Sequence, residues 1–198
     1  MSETPQMGLF QRPAVFVDRD GVINRRLPGD YVRTWGQFQF LPGARAGLRA
    51  LREAGHLLIV ITNQRGIGRG LMSEADLADV HRRMQAELVR AGAGVDAILH
   101  CPHEVSEGCR CRKPRPGLLS RALERFAIDL ERSWVVGDSL SDLEAGRAVG
   151  VRGILVVPRG GQHPPGVPTA GSLLAAARAI VAGGPRPQRR RPPSGVPT

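Results

Sequence analysis

Asp18 and Asp20 stand directly after the apolar run 14–17, one residue apart, and Gly21 follows them. Residues i and i+2 of an extended segment share one side, so both carboxylates can address one ligand. Two like charges that close are unfavourable unless a cation or a bound proton compensates. The pair therefore points to a hard divalent cation, or to one carboxylate acting as nucleophile beside another acting as acid. Three more places carry polar groups at or just beyond an apolar run: Thr62 and Asn63 after 57–61, Arg112 and Lys113, and Asp138 with Asp142 four residues on. Acids for a cation, a hydroxyl, an amide and two cations for anionic oxygens make up an inventory for phosphoryl transfer. A covalent route by a carboxylate needs a free Asp, a cation to neutralise it and the phosphate, and a proton donor for the leaving oxygen.

A second constellation lies in one short window. Cys101, His103, Cys109 and Cys111 offer three thiols and one imidazole, a full tetrahedral set for structural Zn²⁺ with no position left open for catalysis. The loop that carries them is too polar to pack by itself, and Arg112 and Lys113 follow at once. A metal there would position both cations. His56, His81 and His163 have no such company and read as ordinary surface or helix residues.

These groups need elements to hold them. A strand buried on both faces reads as a continuous apolar run, which describes 14–17, 57–61 and 134–136, with shorter strands expected over 95–100 and 153–157. Between them, Pro42 and Gly43 open a helix to Ala54, Ser73 caps one running to about Arg90, Pro116 starts one with Leu118, Leu119, Ala122 and Phe126 on its apolar face, and 141–150 forms a fourth. The aromatic-bearing segment 22–41 reads as an ordered loop over the strand ends. Strands alternating with helices predict an α/β fold, a Rossmann-like parallel sheet flanked by helices on both faces. Such a sheet brings its polar strand ends to one edge, where open α/β sheets place ligands. From Pro158 the chain turns rich in Pro, Gly and Arg, apart from a weak helix near 172–181.

With 198 residues and 41% hydrophobic content the chain suits one sizeable domain. The expected organisation is a flexible leader over 1–12, one domain over 13–182 and a disordered tail over 183–198. Part of the formal charge of +10 lies in that tail, where Arg186, Arg189, Arg190 and Arg191 meet no acid, so 10 − 4 leaves +6 for the remainder. A moderately basic body suits a phosphorylated substrate. It lacks the aromatic-interleaved basic patch of a nucleic-acid binder, so a nucleic-acid partner is not expected. Three clustered cysteines argue against a secreted disulfide framework. No apolar run reaches membrane-spanning length and no signal-peptide pattern opens the chain, so a soluble, cytoplasmic protein acting as a monomer is expected.

In order along the chain, Asp18-Arg19-Asp20-Gly21-Val22, Thr62-Asn63, Lys113 and Gly137-Asp138-Ser139 followed by Asp142 resemble the four motifs of the haloacid dehalogenase-like phosphohydrolases. The resemblance covers roughly 13–157. It implies Asp18 as the nucleophile that becomes an aspartyl phosphate, and Asp20 as the acid for the leaving group and then the base for water. It implies Thr62 and Lys113 as stabilisers of the transferring phosphoryl group. Mg²⁺ would be held by Asp18, the backbone carbonyl of Asp20, and Asp138. The chain has no insertion long enough for a cap domain, so 22–41 and the zinc loop must shape the pocket. The loop ending in Cys111-Arg112-Lys113-Pro114 narrows the resemblance to the heptose 1,7-bisphosphate 7-phosphatases and the histidinol-phosphatase domain. The stretch Thr62 to Gly70, with Asp30 and Tyr31, favours removal of the 7-phosphate of the heptose bisphosphate. On that resemblance Gly29, Asp30, Tyr31, Asn63, Gln64, Arg65, Arg112 and Ser139 contact substrate, and Arg69 suits a distal phosphate on charge grounds. Arg65 stands where the familiar heptose enzymes carry a small serine, and Ser139 replaces a frequent lysine. Those two departures leave the preferred anomer at C1 open.

Overall fold

The computed structural model describes residues 11–158, 160–161 and 164–183. Most of the predicted leader and all but the first residue of the predicted tail lie outside them, as does His163. Six parallel strands form one sheet in the order β3-β2-β1-β4-β5-β6. They are β1 (Arg12–Val17), β2 (Leu57–Asn63), β3 (Ala97–Cys101), β4 (Ile128–Gly137), β5 (Arg152–Val156) and β6 (Thr169–Ala170). Five helices connect or follow them: α1 (Ala44–Glu53), α2 (Glu74–Arg90), α3 (Gly117–Arg125), α4 (Leu140–Arg147) and α5 (Leu173–Val181).

Alternation along β1 sorts the core into two layers. Val15 and Val17 pack with Leu48 and Leu51 of α1, Val80, Met84 and Leu88 of α2, and Ala176 and Ile180 of α5. Ala14 and Phe16 point the other way, against Leu118 and Leu119 of α3 and Ala145 of α4. The same alternation governs the two residues after Val17, because Asp18 continues the α3/α4 side and Arg19 continues the α1/α2 side.

The parallel α/β sheet with helices on both faces is as predicted, with three differences in extent. Arg12, placed in the leader by its composition, pairs with Ile128 inside the sheet. β4 begins six residues before Trp134, because its register with β1 shifts between Pro13 and Val15. Pro13 cannot donate to the ladder, and at the shift the Ala14 N–H donates instead to Ser133 Oγ, at 2.8 Å. The segment after Pro158 supplies a sixth strand, β6, alongside β5; two residues with no apolar run leave no periodic signal. Loop 22–41 is ordered by a single 3₁₀ turn, Trp35–Gln37, where Trp35 stacks on Phe38 and Phe40 meets both rings edge-on. Among the described residues no helix is long and apolar enough to cross a membrane.

Candidate active site

Strand order reverses direction between β1 and β4, and ligands of open α/β sheets bind in the crevice outside the carboxyl ends at such a point. Asp18 follows β1 and Asp138 follows β4. The Asp18 N–H donates to Val136 O at 2.9 Å, which locks the two strand ends together. Glycine is required at two places here. Gly21 has φ 95°, and a Cβ on it would collide with the Asp138 carboxylate; a Cβ on Gly137 would collide with Asp142. A cavity of about 400 Å³ opens over this edge.

Lys113 Nζ lies at the floor, 2.7 Å from Asp18 Oδ1, 2.5 Å from Asp142 Oδ1 and 2.8 Å from Ile61 O. All three side chains are under 10% exposed. Burial pushes the Asp18 carboxyl up to about 7; Lys113 opposes that shift, while Asp142, Asp20 and Asp138 add to it. Burial and Asp142 likewise raise Asp138, against a guanidinium from Arg26, whose Nη1 lies 3.2 Å away. Lys113 is itself raised, because its two carboxylates outweigh burial. Oxygen atoms of Asp18, Asp138 and Asp142 all lie within 4.8 Å of one another. Oxygens around Mg²⁺ at about 2.1 Å sit up to roughly 4.2 Å apart, so acids this close are of the right chemistry and near enough to converge on one such ion.

Asp20 is built into different surroundings. Its carboxylate accepts from Arg19 Nη2 (3.0 Å), Asn24 Nδ2 (2.9 Å) and Gln64 Nε2 (2.8 Å). Burial alone would raise this carboxyl, but Arg19 and the hydrogen bonds from Asn24 and Gln64 hold it below the ordinary range. The two acids of the opening motif thus have opposite environments one residue apart: without a cation, burial favours a protonated Asp18, while Arg19, Asn24 and Gln64 favour an ionised Asp20.

Thr62 is buried at the end of β2 and lines the cavity, its Oγ1 accepting from Gln64 Nε2 at 2.8 Å. Gln64, expected at the substrate, is placed elsewhere. It is 1% exposed, absent from the cavity wall, and spent on Asp20 and Thr62. Asn63 lines the cavity and also clamps the Lys113 peptide from both sides: the Lys113 N–H donates to Asn63 Oδ1 (3.1 Å), and Asn63 Nδ2 donates to Lys113 O (3.2 Å). Gly29, Asp30, Tyr31, Arg65, Arg69, Arg112 and Ser139 all line the cavity. Arg65 Nε donates to Tyr31 OH at 2.9 Å, and Glu104 lies 3.4 Å from Arg69 and 3.9 Å from Arg65. Arg112 Nη1 is buried without a hydrogen-bond partner among the described residues.

Three groups escape or mislead a reading of the sequence. Asp142, named with Asp138 among the acids of the phosphoryl-transfer inventory but not among the expected Mg²⁺ ligands, joins the metal-competent group as a side chain. Arg26 reaches Asp138 from loop 22–41, and nothing local marks it. His81 is a helix residue, as expected, but a buried one with a charged neighbour, 3.0 Å from Arg19 Nη1.

The thiol and imidazole atoms of Cys101, His103, Cys109 and Cys111 also lie within 4.8 Å of one another. Cys101 Sγ is 3.5 Å from both His103 Nδ1 and Cys109 Sγ, while Cys111 Sγ is 3.2 Å from His103 Nδ1 and 3.6 Å from Cys109 Sγ. Tetrahedral Zn²⁺ with Zn–S near 2.3 Å and Zn–N near 2.0 Å sets ligand atoms roughly 3.5–3.8 Å apart. The set fits that ion. In the β2/β3 ladder Asn63 stands opposite Cys101, so this group abuts the cavity edge.

Residues 110–182 match the HAD-hydrolase-like family model. The chain is 52% identical over 132 residues to the D-glycero-α-D-manno-heptose-1,7-bisphosphate 7-phosphatase of Mycobacterium bovis, covering 66% of this chain and 69% of that one. It is 43% identical over 151 residues to the corresponding β-heptose enzyme of Rhodopseudomonas palustris, covering 72% and 82%. Among solved structures it resembles the D,D-heptose 1,7-bisphosphate phosphatase of B. bronchiseptica complexed with magnesium and phosphate. That match has a TM-score of 0.79 and 34% identity, over 87% of this chain and 99% of that one. The fold, the acids at the β1/β4 edge and these relatives agree: the chain belongs to the haloacid dehalogenase-like phosphatases, within the heptose 1,7-bisphosphate 7-phosphatase family.

Proposed function

We propose that this phosphatase removes the 7-phosphate of D-glycero-D-manno-heptose 1,7-bisphosphate through a phosphorylated Asp18. The observation that carries the reading is the contrast between Asp18, buried against Lys113 in a three-acid group, and Asp20, held apart by Arg19, Asn24 and Gln64. Asp18 attacks phosphorus, and the P–O bond to the sugar breaks. Lys113 and Thr62 donate to the transferring oxygens. As the phosphate approaches, its negative charge raises the proton affinity of Asp20, which takes up a proton and passes it to the leaving sugar oxygen. Asp20, ionised again, then removes a proton from the water that cleaves the aspartyl phosphate. Asp18, Asp138 and the backbone carbonyl of Asp20 would hold Mg²⁺, with Asp142 as a further carboxylate in reach, and the ion would supply charge neutralisation for this transfer.

The second phosphate is supported by the cavity wall. Five acids and five cations line it, and a bound divalent cation tips the balance to positive, as a bisphosphate requires. Arg69 and the unpartnered Arg112 Nη1 suit the distal phosphate, while Gly29, Asp30, Tyr31, Asn63, Arg65 and Ser139 face the sugar. Gln64 supports Asp20 from behind.

A phosphate-release panel tests the reading. Heptose 1,7-bisphosphate is expected to be hydrolysed far faster than histidinol phosphate or a 3′-phosphorylated oligonucleotide. The α anomer is expected to lead the β, because identity to the α-named mycobacterial relative is the higher, 52% against 43%. Faster release from histidinol phosphate would overturn the substrate, and release only from the oligonucleotide would favour a polynucleotide-end enzyme.

Structural zinc in the Cys101, His103, Cys109 and Cys111 set is part of the same proposal. Elemental analysis is expected to find about one zinc per chain, retained through dialysis into Mg²⁺ buffer. A folded, zinc-free protein would refute it.

A further inference from the structure

Arg19 is the largest fully buried side chain among the described residues, and nothing in the reaction uses it directly. It follows Val17 on the α1/α2 side of the sheet and runs beneath α2. A buried guanidinium must have its donors satisfied, or its burial is strongly unfavourable. Its Nη2 reaches the Asp20 carboxylate at 2.9–3.0 Å and Gln64 Oε1 at 3.2 Å. Its Nη1 has a single partner among the described residues, His81 Nε2 at 3.0 Å, and its Nε has none there. Arginine is always protonated and cannot accept, so His81 accepts on Nε2 and carries its proton on Nδ1. Burial lowers the His81 imidazole to about 3, with Arg19 and His100 adding to the effect. The ring therefore stays neutral and able to accept across the working pH range.

We propose that His81, on α2, is a positioning residue for Asp20, acting through the buried guanidinium of Arg19. The fork geometry of a guanidinium makes this mechanical: holding Nη1 turns the Nη2 edge toward Asp20 and Gln64. Gln64 then donates from one Nε2 to both Asp20 Oδ2 and Thr62 Oγ1, at 2.8 Å each. The chain His81–Arg19–Gln64 thereby sets the spacing between the acid–base group and a phosphoryl-contacting hydroxyl, although His81 touches neither.

The inference rests on the acid–base reading of Asp20, and a leaving-group comparison tests both. Nitrophenolate leaves from p-nitrophenyl phosphate without a proton, whereas a sugar alkoxide needs one. In the full-length zinc- and Mg²⁺-loaded protein, His81→Leu is expected to lower kcat/KM for heptose 1,7-bisphosphate, which reports only the steps up to cleavage of the ester P–O bond and not the shared hydrolysis of the aspartyl phosphate, about tenfold or more. Its kcat/KM for p-nitrophenyl phosphate should fall less than about threefold. His81→Gln, whose Oε1 can accept from Arg19, should recover most of the loss. The ratio between substrates within one preparation cancels any misfolded fraction. Should His81→Leu not fold, His81→Phe keeps a ring without the acceptor and reads the same ratio. Equal losses on both substrates, no loss, or failure of the Gln variant to recover would overturn the proposal. Asp20→Asn is the reference. If its ratio is also flat, the acid–base reading falls and His81 with it; if its ratio shifts while that of His81→Leu stays flat, only the His81 link falls.

Discussion

Asp18→Asn is expected to reduce turnover by at least about 10⁴-fold, the scale at which removal of a nucleophile acts, while the protein stays folded. The amide keeps an oxygen able to accept from Lys113 Nζ, now at 2.7 Å, and it has no charge to desolvate. Burial has pushed this carboxyl up to about 7 among three neighbouring acids. Neutralising it therefore relieves repulsion, and in metal-free buffer the variant should melt no lower than the parent. Mass spectrometry of acid-quenched protein should find no phosphorylated Asp18. Turnover within tenfold of the parent would end the covalent reading.

Lys113→Met is expected to abolish measurable turnover and also to destabilise the protein. Lys113 is the cation shared by two buried carboxylates, Asp18 and Asp142. Removing one partner of a buried ion pair costs about 3–5 kcal/mol because the other charge is left uncompensated. The pH dependence has a definite sign. Asp18 already has its folded-state value raised above the ordinary 3.8, and losing Lys113 raises it further. A raised carboxyl stabilises the fold fully below its unfolded value, and that stabilisation is lost as pH rises through the folded one. The deficit of Lys113→Met relative to the parent should therefore hold steady from pH 4 to about pH 6, where folded Asp18 is protonated in both proteins, and grow as pH rises past about 7, where only the parent ionises it, measured by urea unfolding without Mg²⁺. A deficit independent of pH would mean that Lys113 acts by packing and not by charge.

These two positions differ in how far they are legible in the sequence. Asp18 is marked by its place after an apolar run and by Asp20 two residues on. Lys113 is marked only by following Cys111 and Arg112; that its ammonium meets Asp18, 95 positions away in the chain, emerges from the sheet. The parallel α/β architecture is readable because strands buried on both faces leave continuous apolar runs. β6 is not, because two residues have no period.

The residue types, their order and their nearness to strand ends supplied the inventory of a phosphoryl-transfer site, and the likeness of four motifs to the haloacid dehalogenase-like phosphohydrolases supplied the family. They also picked out four thiol and imidazole groups within eleven residues, whose ligand atoms the fold brings within 4.8 Å of one another. Tertiary structure alone decided which way each side chain points and what it meets. It turned Gln64 away from the cavity, brought Asp142 to Lys113 and Arg26 to Asp138, and buried His81 against Arg19. The reason is physical. Strand alternation sends neighbours in sequence to opposite faces of the sheet, and a buried charge takes its partner from whichever element packs there, at a sequence separation that no local pattern records.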